Sequence, residues 1–572
     1  MNDIRRSILW VVFGLSMVLI WDKWQIHNGK PATFFPGATP PAATAPAAGA
    51  SGAAPASGQA AVPAAGNAPA GNAPASAPDA AATRHEVRTD RMVLTFSSEG
   101  GALIGADLLA HRQSTLQSKT PDDGPFTLLT QDGKQVYVAQ TGLIGGSFPT
   151  HKTPMTLVGS PTALADGQDS LDVVFESADV GGVKLVKTYT LQRGSYVIGV
   201  RHEVVNTGTA PVSPQLYVQL VRDGSKLDSE TPFYSTFTGP AVYTAEQKYQ
   251  KVEFGDITNN KASFVKTSND GYVAMVQHYF ASAWILPADV KRTFSLDARD
   301  VGATVADCCY RATMITPLET VAPGQTKAVE AKLFVGPQEE KKLEALAPGM
   351  ELVKDYGWLT ILAKPLYWLL DKLHSFIQNW GWSIVALVLL LKIAFYWLNA
   401  KAYASMAKMK AVNPRIMEMR ERLKDNPQQM QQEMMRIYRE EKVNPMGGCF
   451  PIMVQIPVFI ALYWVLLSSV EMRNAPWILW IQDLSSPDPF FILPVVMTLT
   501  TLLQTALNPA PPDPLQAKMM WFMPLAFSVM FFFFPSGLVL YWITNNILSI
   551  AQQWIINTRM GVPPQFNLPK FK

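Results

Sequence analysis

Lys392 stands where a charge is costly. It lies in the apolar run Trp380 to Leu398, which with Asn379 reads NWGWSIVALVLLLKIAFYWL. An unpaired charge in a membrane span costs roughly 2.5–3.5 kcal/mol on insertion scales. At about 1.5 Å per residue, Lys392 sits roughly 18 Å along a helix from Trp380, past the middle of a bilayer. One reading is a lysine that snorkels, its four-carbon stem carrying the ammonium to the nearer interface. The other is a water-filled cavity among the helices. Helical side chains tilt toward the helix N-terminus, here back into the membrane, and the other apolar spans hold no acid to pair with it, so the second reading is the better one.

The elements around it must include both soluble and membrane parts, since 572 residues at 48% hydrophobic fit neither alone. Arg5 and Arg6 precede the apolar run Ser7 to Trp21, and Trp21-Asp22-Lys23-Trp24 then takes the place of a small-residue cleavage site, so residues 1–24 read as an uncleaved anchor. Residues 25–83 are mostly Ala, Pro, Gly and Ser, a disordered tether. Residues 84–346 change to short alternating runs broken by Gly, Asn and Asp, an all-β sandwich. Its clearest hairpin joins Val183–Leu191 to Tyr196–Val205 through Gln192-Arg193-Gly194-Ser195. Residues 347–379 are apolar on one side with interspersed charges and Pro365, an amphipathic helix lying in the interface.

Beyond the span at 380–400, Lys401 to Lys442 holds ten basic against six acidic residues, which places that loop in the cytoplasm. Met406, Met409, Val412, Ile416, Met419 and Leu423 recur at three and four, as do Met430, Met434 and Ile437, with Asp425-Asn426-Pro427 between them. The spacing predicts a cytoplasmic helical hairpin over 401–447, whose methionines read either as an ordinary apolar seam or as an adaptable surface for varied apolar partners. Phe450 to Leu467, Phe490 to Leu503, Met519 to Phe534 and Gly537 to Ile556 bring the expected spans to six, with transmembrane helices 3–6 in 448–557 and a cytoplasmic tail at 558–572. Both termini then fall inside. Gln455, Tyr463, Thr498, Thr500, Thr501, Gln504, Tyr541, Thr544, Asn545 and Asn546 put amides and hydroxyls into these spans. Such groups usually bond one another between helices, but together with Lys392 they can line a wet groove.

Several function classes drop out. A formal charge of +3 makes no case for a DNA partner. There is no P-loop, no Cys/His cluster for a metal and no acid pair or nucleophile at catalytic spacing, so neither cofactor, metal nor enzymatic chemistry is expected. Cys308, Cys309 and Cys449 make no disulfide framework, and the adjacent pair reads as packing residues. A transporter would want a second ionisable group and repeated halves. An intramembrane protease would want a base near Ser536, yet all seven His lie outside the last four spans. A receptor sensing a ligand through its β domain stays open.

Ser405-Met406-Ala407-Lys408-Met409, Glu441-Lys442-Val443-Asn444-Pro445-Met446-Gly447-Gly448-Cys449-Phe450-Pro451 and Pro535-Ser536-Gly537-Leu538-Val539-Leu540-Tyr541-Trp542 closely resemble the YidC/Oxa family of membrane protein insertases, and the long exported domain resembles its Gram-negative YidC form. The resemblance implies an inner-membrane insertase and chaperone without catalytic chemistry, with a five-helix core, a hydrophilic groove open to cytoplasm and lipid, and a periplasmic β-supersandwich. It implies nascent membrane-protein clients, the bilayer and the Sec translocon (SecYEG and SecDF) as partners; the short basic tail leaves ribosome contact to the hairpin. Client-facing groove residues would be Lys392, Gln455, Tyr463, Tyr541, Trp542 and Asn545, and the capturing methionines Met406, Met409, Met430 and Met434. The family's groove cation is usually Arg, so Lys392 keeps the charge and loses the bidentate fork. The family's tyrosine pair in the last span is here Tyr541-Trp542.

Overall fold

The computed structural model describes residues 82–113, 124–225, 236–299, 309–423, 426–441, 450–508 and 514–559, with 561 and 566. The expected anchor and tether lie outside the described residues, as do most of the Glu441–Pro451 motif and of the tail. The described residues form two compact units divided between Lys354 and Asp355.

Alternation builds the first unit. In the strand Val183–Gln192, Val183, Leu185, Lys187, Tyr189 and Leu191 are buried while the residues between them are half-buried. It pairs antiparallel with Val197–Asn206 across a turn whose Gly194 takes φ +73°. Two nine-stranded antiparallel sheets result. One runs, in spatial order, Arg84–Arg88, Met92–Ser97, Ala102–Arg112, Pro125–Gln131, Val136–Ile144, Gln215–Arg222, Cys309–Pro317, Arg292–Arg299 and Thr267–Ser268. The other runs Lys248–Lys251, Gly239–Thr244, Tyr272–Gln277, Phe280–Ile285, Thr326–Pro337, Val197–Asn206, Val183–Gln192, Ser170–Ser177 and Met155–Val158. Of two short helices, α1 (Phe254–Thr258) lies in the connection from one sheet to the other and α2 (Glu340–Leu346) follows the last strand.

Polar side chains bolt the sheets together. Trp284 Nε1 donates to Gln219 O at 3.0 Å, Tyr137 Oη lies 2.6 Å from Ser282 Oγ, and Tyr189 Oη donates to Gly101 O at 2.6 Å. Lys187, fully buried, donates to Gly100 O at 2.6 Å and Thr141 O at 2.7 Å. Burial alone pulls its ammonium down to about 7. Cys309 corrects one expectation: it is disulfide-bonded rather than a simple packing residue, and no other cysteine lies among the described residues.

The second unit is helical: α3 (Thr360–Ile377), α4 (Trp380–Ala394), α5 (Tyr396–Arg422), α6 (Pro427–Glu440), α7 (Phe450–Ser468), α8 (Ile492–Leu507), α9 (Pro514–Met530) and α10 (Ser536–Arg559). Its core gathers Ile384, Leu387 and Val388 of α4, Leu462 and Val465 of α7, Met497 of α8 and Leu538–Tyr541 of α10. Trp368, Trp397, Leu499, Phe522, Phe527 and Val529 face outward and give the unit an apolar exterior. Among the described residues no single helix is long and apolar enough to cross a membrane, while α4 with Tyr396–Met409 of α5 passes as a pair bent by 68°.

That bend changes the expected layout. The span does not run straight to a loop at Lys401; it breaks at Phe395 and continues as the first arm of the hairpin. Neither Pro nor Gly stands at the break. The polar groups on its two sides, Lys392 and Asn399, are both tied to α10, which holds the two segments against one surface.

Candidate functional site

The polar interior of the helical unit is assembled on α10. Asn545, Ser549 and Gln552 recur at four and three along it and so share one face. Ser549 Oγ donates to the Asn545 carbonyl at 2.6 Å, the back-bond a helical serine makes when it has no better acceptor. Lys392 Nζ, on α4, donates to Ser549 Oγ at 2.7 Å. Lys392 is only 8% exposed, so it does not snorkel; the stem turns inward. Among the described residues no carboxylate lies within ion-pair distance of it, and its partner is a neutral hydroxyl.

Amides extend the group. Gln455 Nε2 of α7 reaches Asn545 Oδ1 at 3.4 Å, a long contact between half-buried residues. Asn399 Nδ2 of α5 donates to Gln552 Oε1 at 3.2 Å. Tyr403 of α5 also hydrogen-bonds Ser549. On the neighbouring face, Asn546 Nδ2 donates to Thr501 Oγ1 at 2.9 Å and Thr500 Oγ1 at 3.3 Å, joining α10 to α8. Thr498, Thr501 and Thr544 give their own protons to carbonyls four residues back, so these hydroxyls serve packing.

Of the six expected groove residues, the structure brings Lys392, Asn545 and Gln455 together around Ser549. Tyr463, Tyr541 and Trp542 belong to a separate aromatic block. Phe459 lies 5.7 Å from Tyr541 and 4.5 Å from Trp542, Trp542 meets Phe531 at 5.4 Å, and Tyr463 meets Phe534 at 6.2 Å, all between ring centroids. This block precedes Asn545 by about one turn of α10, so it closes one end of the polar group with rings. Ser549, Asn399 and Gln552 are site residues that reading the sequence does not single out, because their partners lie more than 150 positions away along the chain.

The hairpin methionines mostly turn toward each other. Met409, Met430 and Met434 pack, with Leu423 and Tyr438, on Val412, Ile416, Met419 and Ile437 between α5 and α6. Met406 is half-buried outside that cluster, and the exposed thioethers are Met417 (53%) and Met435 (49%). Arg415 clamps the arms through Glu440 at 3.1 Å and Glu441 at 2.7 Å.

Acids in the segment between α7 and α8 are spent on structure. Asp488 caps α8, accepting Leu493 N at 2.6 Å and Trp480 Nε1 at 3.0 Å, and Glu471 accepts Tyr367 Oη at 2.6 Å. Ser536 donates to Ser486 O at 2.8 Å and is 1% exposed, so it is a buried structural hydroxyl and no nucleophile. Among the described residues no group of His, Cys, Asp and Glu could hold a metal.

A helical unit with an apolar exterior and, among the described residues, one buried cation set among amides and hydroxyls, in a chain that also carries a large double-sheet unit, has the build of a membrane protein with a soluble domain. The comparisons make that class specific: the chain belongs to the YidC family of membrane protein insertases. Residues 84–369 match the YidC periplasmic domain and residues 372–562 the 60Kd inner membrane protein. The membrane protein insertase YidC of Cupriavidus metallidurans is 54% identical, with 98% of each chain covered. That of Burkholderia ambifaria is 52% identical, covering 98% of this chain and 99% of its own. A solved active YidC insertase with its first transmembrane domain resolved covers 82% of this chain and 93% of its own at 19% identity, with a TM-score of 0.37, too loose a superposition to argue from. The chain is accordingly an inner-membrane protein with a periplasmic domain, and its family works as insertases without enzymatic turnover.

Proposed function

We propose that this protein inserts membrane proteins by giving the client's exported tail a polar, positively charged resting place part-way across the bilayer. One observation carries the reading: Lys392 is held inside the helical unit by a neutral hydroxyl, so its charge stays uncancelled and available to a carboxylate. A tail with one or two carboxylates faces roughly 2.5–3.5 kcal/mol per charge on crossing hydrocarbon. A groove with Lys392, Gln455 and Asn545 lowers that cost over half the path. The client's apolar segment then moves sideways into lipid, and the membrane potential acting on negative charge adds to the drive. No nucleotide is consumed.

The rest of the arrangement follows from that reading. Six spans put both termini and the 401–447 hairpin in the cytoplasm, where Met417 and Met435 meet incoming apolar segments while the seam methionines hold the arms together. The aromatic block of Tyr463, Tyr541 and Trp542 closes the groove toward the periplasm. The Sec translocon and the ribosome are partners in delivery, the first beside the groove and the second at the hairpin.

The test is insertion of a small single-span client with a two-Asp exported tail into liposomes holding only the purified protein, read by protease protection. Protection without nucleotide is the expected result. Equal loss of acidic-tailed and neutral-tailed clients on Lys392→Ala would refute the groove charge.

A further inference from the structure

We infer that Ser549 is the positioning residue for the groove cation: its hydroxyl oxygen holds the Lys392 ammonium in the interior with the charge uncancelled. The inference rests on the groove reading above and deepens it.

The hydrogen-bond polarity argues it. A serine hydroxyl has one proton and two lone pairs, and an ammonium only donates. Ser549 gives its proton to the Asn545 carbonyl, 2.6 Å away on its own helix, which fixes the side chain's rotation and turns its oxygen outward as a pure acceptor. Lys392 Nζ meets that oxygen at 2.7 Å, a distance for a charge-assisted bond. Among the described residues Ser549 is its one acceptor, which uses one of the ammonium's three N–H groups and leaves two for a carboxylate. The Asn545 amide, one turn earlier on the same helix, brings Gln455 beside this point.

Competing designs show why a hydroxyl suits the position. A flexible lysine without an acceptor would swing its ammonium to the interface. A carboxylate at position 549 would hold it but cancel the charge a client tail needs. Ser549, itself 3% exposed, does neither. Ser549 touches no client in this scheme; it acts through Lys392.

The experiment uses the full-length protein in liposomes, with one client bearing a two-Asp tail and one a neutral tail, and compares Ser549→Ala, Ser549→Thr, Lys392→Ala and the double variant Lys392→Ala/Ser549→Ala. Thermal unfolding confirms that each is folded. Ser549→Ala is expected to slow insertion of the acidic-tailed client about five- to tenfold, the net worth of one ordinary hydrogen bond, and to leave the neutral-tailed client unchanged. Ser549→Thr keeps the oxygen and the back-bond and is expected to restore the rate. The double variant should insert no more slowly than Lys392→Ala alone. A silent Ser549→Ala, a loss shared equally by both clients, or additive losses in the double variant would each overturn the positioning role. If Lys392→Ala selects against acidic tails while Ser549→Ala is silent, only this inference falls; if Lys392→Ala shows no selectivity, the groove reading falls first.

Discussion

Lys187 of the β unit and Lys392 of the helical unit are both buried, and the two are satisfied in opposite ways. Lys187, between the sheets, gives its ammonium to two backbone carbonyls that the fold cannot move, Gly100 O at 2.6 Å and Thr141 O at 2.7 Å. Lys392, among the helices, meets a single side-chain hydroxyl. Around Lys187 the neighbours are committed too: His202 Nε2 lies 2.9 Å from Thr141 Oγ1, and His151 Nδ1 lies 2.5 Å from Tyr217 Oη. Around Lys392 the nearby amide contact between Gln455 and Asn545 stretches to 3.4 Å. The difference teaches how to tell a bolt from a site. A buried cation whose donors all end on backbone is part of the structure; one held by a lone neutral side chain keeps capacity for a ligand.

The sharpest way to press on this comparison is acid. Burial lowers His151 and His202 to about 3 from their ordinary 6.5. Folded, they bind fewer protons than unfolded, so the stability they contribute is complete above about pH 6.5 and is lost as pH falls toward 3. With two such protons, the slope reaches about 3 kcal/mol per pH unit at its steepest, and Lys187, lowered to about 7, adds a gentler rise between about 7 and 10.5. Chemical unfolding of the β unit within the intact protein at a series of pH values should therefore show stability climbing from pH 4 to pH 9. A flat profile would mean that the cluster is open to water, and the contrast with Lys392 would dissolve.

Next in size is Lys187→Ala. It leaves a cavity and two carbonyls without their donor, which should cost the β unit about 3–5 kcal/mol, while the fraction that folds inserts clients at the normal rate. The same variant should lose the rise above pH 7 and keep the acid limb. Lys392→Ala should behave in reverse: unfolding midpoint unchanged, insertion of acidic-tailed clients down by about ten- to a hundredfold. Lys392→Arg should stay close to wild type, since charge rather than fork geometry is what the hydroxyl at Ser549 receives.

How far the sequence announced these two lysines follows from what each contact needs. Lys392 was conspicuous because nothing else charged shares its apolar run. Lys187 was not singled out, yet it falls on the same parity as Val183, Leu185, Tyr189 and Leu191, so the strand's own alternation points it inward. The Val183–Asn206 hairpin and the three-four spacing of Val412, Ile416 and Met419 were legible because burial on one face repeats with the period of the element. Ser549 was not, because a serine in a helix usually satisfies itself and nothing local reveals that a lysine 157 positions away will meet it. The break at Phe395 was hidden for a related reason: with neither Pro nor Gly there, its cause lies in partners on α10.

The smallest effect should come from the hairpin, which carries the contrast between committed and spare groups down to thioethers. Met409, Met430 and Met434 are committed to the seam between α5 and α6, whereas Met417 and Met435 are exposed. Met434→Ala should loosen the hairpin by about 1–3 kcal/mol, visible as faster proteolysis of the 401–441 segment, and should weaken client crosslinking only through that loosening. Met417→Ser with Met435→Ser should leave protease resistance intact and reduce crosslinking of an apolar nascent segment by about two- to threefold, the worth of a few tenths of a kcal/mol in surface contact. If the exposed pair proves silent while the seam variant alone abolishes crosslinking, clients enter by prying the arms apart. The seam would then be a site like the one around Lys392, despite packing like the one around Lys187.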